Sequence, residues 1–352
     1  MTGRPGRGVM AGLLLAVVAV VPGACGWGSP PSDALDSLDE LPQAPATSTA
    51  STVAAGPTTS TTISATQATC AAQDLKTASY RPLDEPLPPP EALPVGSTMA
   101  ALHDAGQIRV GVDETTLGLS SRNSQTGDFE GFEVDLAREI ARRILPPDAA
   151  TDAVLLVPVD TGKRKVDVVA EGFVDMTISA ISMSCARWED VAFSVEYLTA
   201  EQQFLVRADS RVEQREDLDG LTVCVTKTSS SASILRTAVP EAVAYPVDSR
   251  TECLVALKEG EVDAYFGHDT FLLGMRAQDP TMRVVSGLLE GEDTVSHYGI
   301  AIAHGREDLV RFVNAVLVEL MADGTWAELY DELQGELPDL PDAAPPTPVY
   351  RD

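Results

Sequence analysis

Thr222-Val223-Cys224-Val225-Thr226 reads as a strand, Ser230 to Ala238 as a helix, Ala242 to Val247 as a strand, Thr251 to Glu259 as a helix and Ala264 to Gly267 as a strand. Short apolar, β-branched runs alternating with stretches of helical length are the mark of parallel βαβ units. The same alternation precedes it. Ile108 to Val112 is a strand, followed by an amphipathic helix from Phe132 to Leu145 with Phe132, Val134, Leu136, Ile140 and Ile144 at its apolar positions. Val154 to Val159, Gly162 to Glu171 and Val174 to Ala180 continue the series as strand, helix and strand, and Glu201 to Val206 is the crossover. Met282 to Val285 and Tyr298 to Ala303 are strand-like, and Asp308 to Met321 is a long helix. Two βαβ sets joined by extended segments predict an α/β fold of two lobes with a cleft between them. Ligands of open α/β sheets bind beyond the carboxyl ends of the strands, which directs attention to the loops after Val112, Ala180, Thr226 and Gly267.

The chain has 352 residues, with 25 Lys and Arg against 53 Asp and Glu, a formal net charge of −28. So acidic a surface repels phosphate backbones and anionic headgroups, which excludes nucleic-acid binding and membrane binding through basic patches. Arg4 and Arg7 precede an apolar run from Met10 to Val21 and then Pro22-Gly23-Ala24-Cys25. A basic start, a short apolar region and small residues make residues 1–24 a secretory signal peptide, too short to span a bilayer. Cys25 after Gly23-Ala24 resembles a bacterial lipobox, although Pro22 stands where that motif prefers Leu; lipidation of Cys25 would tether the protein outside the cytoplasm. An ordinary secretory signal with a free Cys25 is the alternative. Residues 25–95 are rich in Ser, Thr and Pro without periodicity and read as a spacer. The other cysteines, Cys70, Cys185, Cys224 and Cys253, allow three connectivities in an oxidising compartment. Cys224–Cys253 within one lobe and Cys70–Cys185 pinning the spacer's end to the other is the preferred pairing. No metal-ligand spacing occurs, so neither metal nor cofactor is expected.

Within this frame, Gly106-Gln107-Ile108-Arg109-Val110-Gly111-Val112-Asp113, Gly131-Phe132-Glu133-Val134-Asp135-Leu136, Ser179-Ala180-Ile181-Ser182-Met183-Ser184-Cys185-Ala186-Arg187 with Phe193-Ser194, Val262-Asp263-Ala264 and Asp323-Gly324-Thr325-Trp326 stand in a fixed order. Together they resemble the extracellular solute-binding proteins, family 3, that feed polar amino acids to ABC importers. The resemblance spans about Gln107 to Leu333 and looks nearest to the glutamine/glutamate-type lipoproteins of actinobacteria, with similar cysteines and a similar Pro345–Pro348 tail. It implies a type II periplasmic-binding-protein-like fold: lobe 1 from 96–203 and 295–340, lobe 2 from 204–294, and a tail at 341–352.

A free amino acid brings a carboxylate and an ammonium, and a site must replace both hydration shells. The resemblance assigns the carboxylate to Arg187, whose planar guanidinium gives two parallel charged hydrogen bonds. Ser182 and the Ala180 backbone lie in the same loop. Thr228, Ser229 and Ser230 open a helix whose N-terminal amides favour an anion, although a plain Ser cap fits the same residues. The family's ammonium-binding acid falls on His268, leaving Asp269 beside it or Asp113 after the first strand as the acid. A cleft-lining His268 would make affinity depend on pH near 6.5. Where the family has aromatics after the first strand, Thr115 to Ser121 stand instead, and Arg122 and Lys163 are available for a side-chain carboxylate.

The expected function is therefore a monomeric, tethered receptor that captures an amino acid of the glutamate/glutamine/aspartate/asparagine class by hinge closure and presents it to a membrane permease. The alternatives are a receptor that signals to a membrane sensor and a degenerate envelope lipoprotein that binds nothing. No hydrolase, zincin or phosphate-loop motif occurs, and no acid stands between Ser182 and Arg187, so no enzyme is expected.

Overall fold

The computed structural model describes residues 70, 75–82, 86–149, 153–159, 164–291 and 294–351. The expected signal peptide, Cys25, most of the expected spacer and Lys163 lie outside the described residues. The chain divides into a unit Met1–Ser60 and a unit Thr61–Asp352, and every element below belongs to the second.

Lobe 1 is built on β1 (Ile108–Val112), β5 (Val154–Pro158), β6 (Met176–Thr177), β7 (Val191–Phe193) and β14 (Ala301–Ala303), in the order β5-β1-β6-β14-β7. The first three are parallel, and β14 returns antiparallel between β6 and β7. A hairpin sheet of β2 (Thr115–Thr116), β3 (Ser120–Arg122) and β4 (Phe129–Glu130) follows β1, where the sequence lacks aromatics. Lobe 2 orders β10 (Val243–Val247), β9 (Thr222–Thr226), β11 (Ala264–His268), β8 (Leu198–Arg207) and β12 (Met282–Val285), with β13 (Val295–Tyr298) also paired to β8. Parallel β10-β9-β11 gains β8, antiparallel to β11, and then β12, antiparallel to β8, at its other edge.

Both connections between the lobes are extended. Leu198–Glu201 of β8 pair with Val295–Tyr298 of β13, while the rest of β8 enters the lobe 2 sheet. This two-strand crossing places the lobe boundary inside β8, and the expected break at 203/204 falls within that strand. The lobe 1 core gathers α1 (Thr98–Ala105), α2 (Phe132–Arg142), α3 (Arg164–Ala170) and α7 (Glu307–Asp323) around β1, β6 and β14. Lobe 2 is covered on both faces. Leu235 of α4 (Ser230–Ala238) packs on Val223 and Phe266, and Leu257 of α5 (Arg250–Glu259) packs with Leu205 and Tyr265 on the other side. The Cys224–Cys253 disulfide fastens α5 to β9.

Gly131 shows why α2 starts where it does. Its φ is 118°, and a Cβ there would lie 2.7 Å from the carbonyl oxygens of Gly118 and Leu119. Those same carbonyls receive the first free amides of α2, from Phe132 and Glu133. Left-handed backbone and a close main-chain neighbour both exclude a side chain. Gly131→Ala is expected to cost about 3 kcal/mol, and a urea denaturation midpoint unchanged from wild type would refute the close approach.

The spacer and tail are shorter than expected. Ala78 and Ser79 are buried, and Ser79 pairs with Tyr350 in a parallel bridge. Asn314 of α7 donates to Ser79 Oγ at 2.8 Å and to the Tyr80 carbonyl at 2.7 Å. Trp188 donates to the Lys76 carbonyl at 2.9 Å, and the Arg351 guanidinium lies 3.6 Å over its ring. Residues 75–82 and 349–351 thus belong to lobe 1, contrary to a spacer extending to 95 and an appended tail from 341. Their partners are distant in sequence, so no local periodicity marks them. The Cys70–Cys185 disulfide joins the same strap to the loop carrying Arg187.

Candidate functional site

The cleft between the lobes holds a small, partly open cavity of about 50 Å³. Lobe 1 contributes Lys165, Ala180, Ile181, Ser182 and Arg187; lobe 2 contributes Thr226, Ser229 to Ser231, Arg250, Tyr265 to His268, and Phe271. Most lie at or beyond strand ends of the two sheets, where doubly wound folds leave main-chain groups and helix starts free for a ligand. Among the described residues the wall carries three permanent or near-permanent cations and no Asp or Glu.

The Ser179–Arg187 loop is shaped for this. Ala180 has a positive φ of 47°, unusual for a residue with a side chain, and its amide donates to Glu133 Oε1 at 2.6 Å. Glu133 also accepts from the Tyr197 hydroxyl, and burial pushes its carboxyl up. The strained turn is therefore held from behind by a buried acid that does not reach the cavity wall. Arg187 Nη1 donates to the Ser182 carbonyl at 2.6 Å, which fixes the guanidinium from its own loop. No carboxylate lies within ion-pair distance of Arg187 among the described residues. Burial alone lowers its pKa, as expected of a cation lacking a counter-ion.

The other cations are paired. Asp113 sits behind the cavity wall, where it is held by Arg250, by Lys165 Nζ at 3.3 Å, and by the Thr115 amide and hydroxyl at 2.8 Å each. Burial opposes its ionisation, but Arg250 and Lys165 prevail and hold the carboxyl well below the usual range. Lys165 donates to the Ser179 carbonyl at 2.8 Å, and burial beside Arg250 draws its pKa down to about 8. Arg250 lies 4.1 Å over the Phe271 ring. Phe271 is thus an aromatic wall supplied by lobe 2, in place of the aromatics absent after β1.

His268 lines the cavity, but as a buried neutral imidazole. Its Nδ1 meets the Tyr298 hydroxyl, its Nε2 the Ser296 hydroxyl at 2.9 Å, and Ser230 Oγ lies 3.4 Å away. Burial, then Arg250, Arg187 and Lys165, lower its pKa to about 3. The pH dependence near 6.5 expected from the sequence does not follow. Ligand affinity should take no step from His268, and a wild-type ratio of Kd values between pH 5.5 and 7.0 that a His268→Asn variant abolishes would contradict this burial.

Of the remaining expected residues, Ser182 and Ser230 come together across the cleft, Oγ to Oγ at 3.2 Å. Ser229 caps α4, accepting from the Ala232 amide and donating to the Thr226 carbonyl. Thr228 is exposed and faces a second opening beside Arg187 instead of the cavity. Asp269 begins α6 (Asp269–Gln278), buried, with Oδ1 accepting from the next amide at 2.7 Å. Neither Asp113 nor Asp269 lines the cavity. Arg122 pairs with Glu114 on the exposed hairpin, away from the cleft. Arg250, Lys165 and Phe271 were not expected from the sequence. The strand-end rule would have reached two of them had it been applied to the loops after β5 and β10.

Residues 108–336 match the family described as bacterial extracellular solute-binding proteins, family 3. The chain belongs to that family. This solute-binding protein is 29% identical over 234 residues to the ABC transporter glutamine-binding protein GlnH of Bacillus subtilis, covering 66% of this chain and 83% of that protein. It is 30% identical over 245 residues to the glutamate-binding protein GluB of Corynebacterium glutamicum, covering 68% and 83%. Its fold is similar to a crystal structure of the P235GK mutant of ArgBP from T. maritima, with a TM-score of 0.59 and 27% identity over 67% of this chain and 99% of that one. The two-lobed type II architecture is therefore that of the amino-acid-binding proteins.

Proposed function

We propose that this protein captures a polar amino acid of the glutamate/glutamine/aspartate/asparagine class and delivers it to the permease of an ABC importer, held at the outer face of the cell membrane by lipidated Cys25. The observation that carries this reading is Arg187, a guanidinium in the cleft wall with no protein counter-ion, aimed where an α-carboxylate would complete it. The names of the relatives, glutamine- and glutamate-binding proteins, support the ligand class. The β8–β13 crossing is the hinge: opening it parts Ser182 from Ser230 and Asp113 from Arg250, and a ligand carboxylate would favour the closed arrangement in which they meet. Calorimetric titration of the purified protein with each of the common amino acids tests the reading. Saturable heat with one or more of these four is the expected result. Absence of heat together with an unchanged melting temperature for all of them rejects it, and leaves an envelope lipoprotein that binds no amino acid.

A further inference from the structure

The cavity wall is unbalanced. Lys165, Arg187 and Arg250 face it, and no carboxylate does among the described residues. An amino acid's ammonium is met best by an acceptor that bears negative charge, and among the described residues the acids nearest the cavity are engaged elsewhere. Asp113 answers Arg250 and Lys165 from behind the wall. Glu133 answers the Ala180 amide and the Tyr197 hydroxyl from beneath the loop. Asp269 is turned into the first turn of its own helix. In the cavity wall stands His268, whose ring nitrogens are both taken by hydroxyls of Tyr298 and Ser296. Even after Asp113 offsets one cation, the cleft keeps an excess of positive charge. That excess matches a ligand with two negative groups, one on Arg187 and one toward the Arg250–Lys165 side.

We propose that the cleft is a dicarboxylate site: it selects a short ligand by its two carboxylates and gives the α-ammonium no charged partner. Within the class proposed above, on which this inference rests, the acidic amino acids are preferred to their amides. An organic dicarboxylate of the same length with no amino group fits as well. Phe271, under Arg250, covers the methylene chain between the two ends.

The test is a calorimetric panel on the purified full-length protein at pH 7.5 in a buffer free of carboxylates. The probes are L-glutamate, L-glutamine and 2-oxoglutarate, which is glutamate with a keto oxygen in place of the ammonium. The expected result is a Kd for 2-oxoglutarate within about tenfold of that for glutamate, both at least about tenfold tighter than glutamine. An Arg250→Gln variant should lose at least about tenfold of the preference for glutamate over glutamine, with its melting temperature recorded to show that it folds. If that variant fails to fold, the wild-type panel alone decides. Glutamine binding as tightly as glutamate, or glutamate binding while 2-oxoglutarate does not, overturns the dicarboxylate site and leaves amino-acid capture standing. Binding of 2-oxoglutarate with no binding of any amino acid upholds the dicarboxylate site and overturns amino-acid capture. No binding by any probe overturns the dicarboxylate site, and the titration with all the common amino acids then decides amino-acid capture separately.

Discussion

An Arg187→Met variant is expected to lose ligand binding almost completely while folding as well as the wild type. Removing one partner of a desolvated, hydrogen-bonded charge pair typically costs about 2–5 kcal/mol, roughly 30- to 5,000-fold in Kd. The upper part of that range applies here, because the remaining donors of the cleft do not replace a bidentate fork. Ser182 and Ser230 bond to each other, and Ser229 is committed to its cap. In the unliganded protein, Arg187 contributes only its bond to the Ser182 carbonyl and carries the cost of an unpaired buried charge. Met fills similar volume without that cost, so the ligand-free melting temperature should hold or rise. Arg187→Lys keeps the charge without the planar fork and should fall between the two. Titration calorimetry with the tightest amino acid reads the result. A Kd for Arg187→Met within threefold of wild type would remove Arg187 from the site.

Stability of the ligand-free protein should depend on pH through Asp269 and His268, with opposite signs. Burial raises Asp269 from its ordinary 3.8 to about 7. Between these values the folded state holds a proton that the unfolded chain has released, so this group lowers stability as pH rises from about 4 to about 7. His268 is lowered from 6.5 to about 3. Across that window the unfolded chain binds the extra proton, so His268 raises stability as pH climbs from about 3 to about 6.5. The two slopes overlap and offset each other in the wild type. Asp269→Asn retains an oxygen for the Thr270 amide while removing the carboxyl, so the slope from His268 is unmasked. The variant should gain increasingly on the wild type between pH 4 and pH 7, to at most about 4 kcal/mol at neutral pH. Denaturation midpoints at four pH values in that span measure it, and parallel curves for variant and wild type would show that Asp269 titrates normally.

Most of the scaffold was legible because it rests on local chemistry. The β9-α4-β10-α5-β11 series follows from alternating period and from Ser229 and Ser249, each of which caps its helix by accepting an amide three residues on. Gly131 was visible as a motif residue, and the structure supplies its reason, a left-handed backbone against two carbonyls. The strand Tyr298 to Ala303 was read as one and is two, β13 ending at Tyr298 and β14 starting at Ala301, because the chain passes there from the two-strand crossing into the lobe 1 sheet. A linear pattern records apolar residues but not a change of partner strand.

The site divides along the same line. Arg187 and Ser182 stand in one short loop, so a motif could carry them. Arg250, Lys165 and Phe271 begin or lie early in three separate helices and look like ordinary surface or core positions of those helices. They become a cation-rich wall only where the carboxyl ends of two sheets face each other.

The sequence by itself determined the two-lobed α/β scaffold and the guanidinium on its loop, since each depends on neighbours a few residues away. The tertiary structure alone decided that Asp113 is spent on Arg250 and Lys165, that Asp269 turns from the cleft, and that His268 is neutral. Charge balance in a buried cleft is a sum over residues more than 100 positions apart, as Asp113 and Arg250 are at 137, and no local pattern contains it.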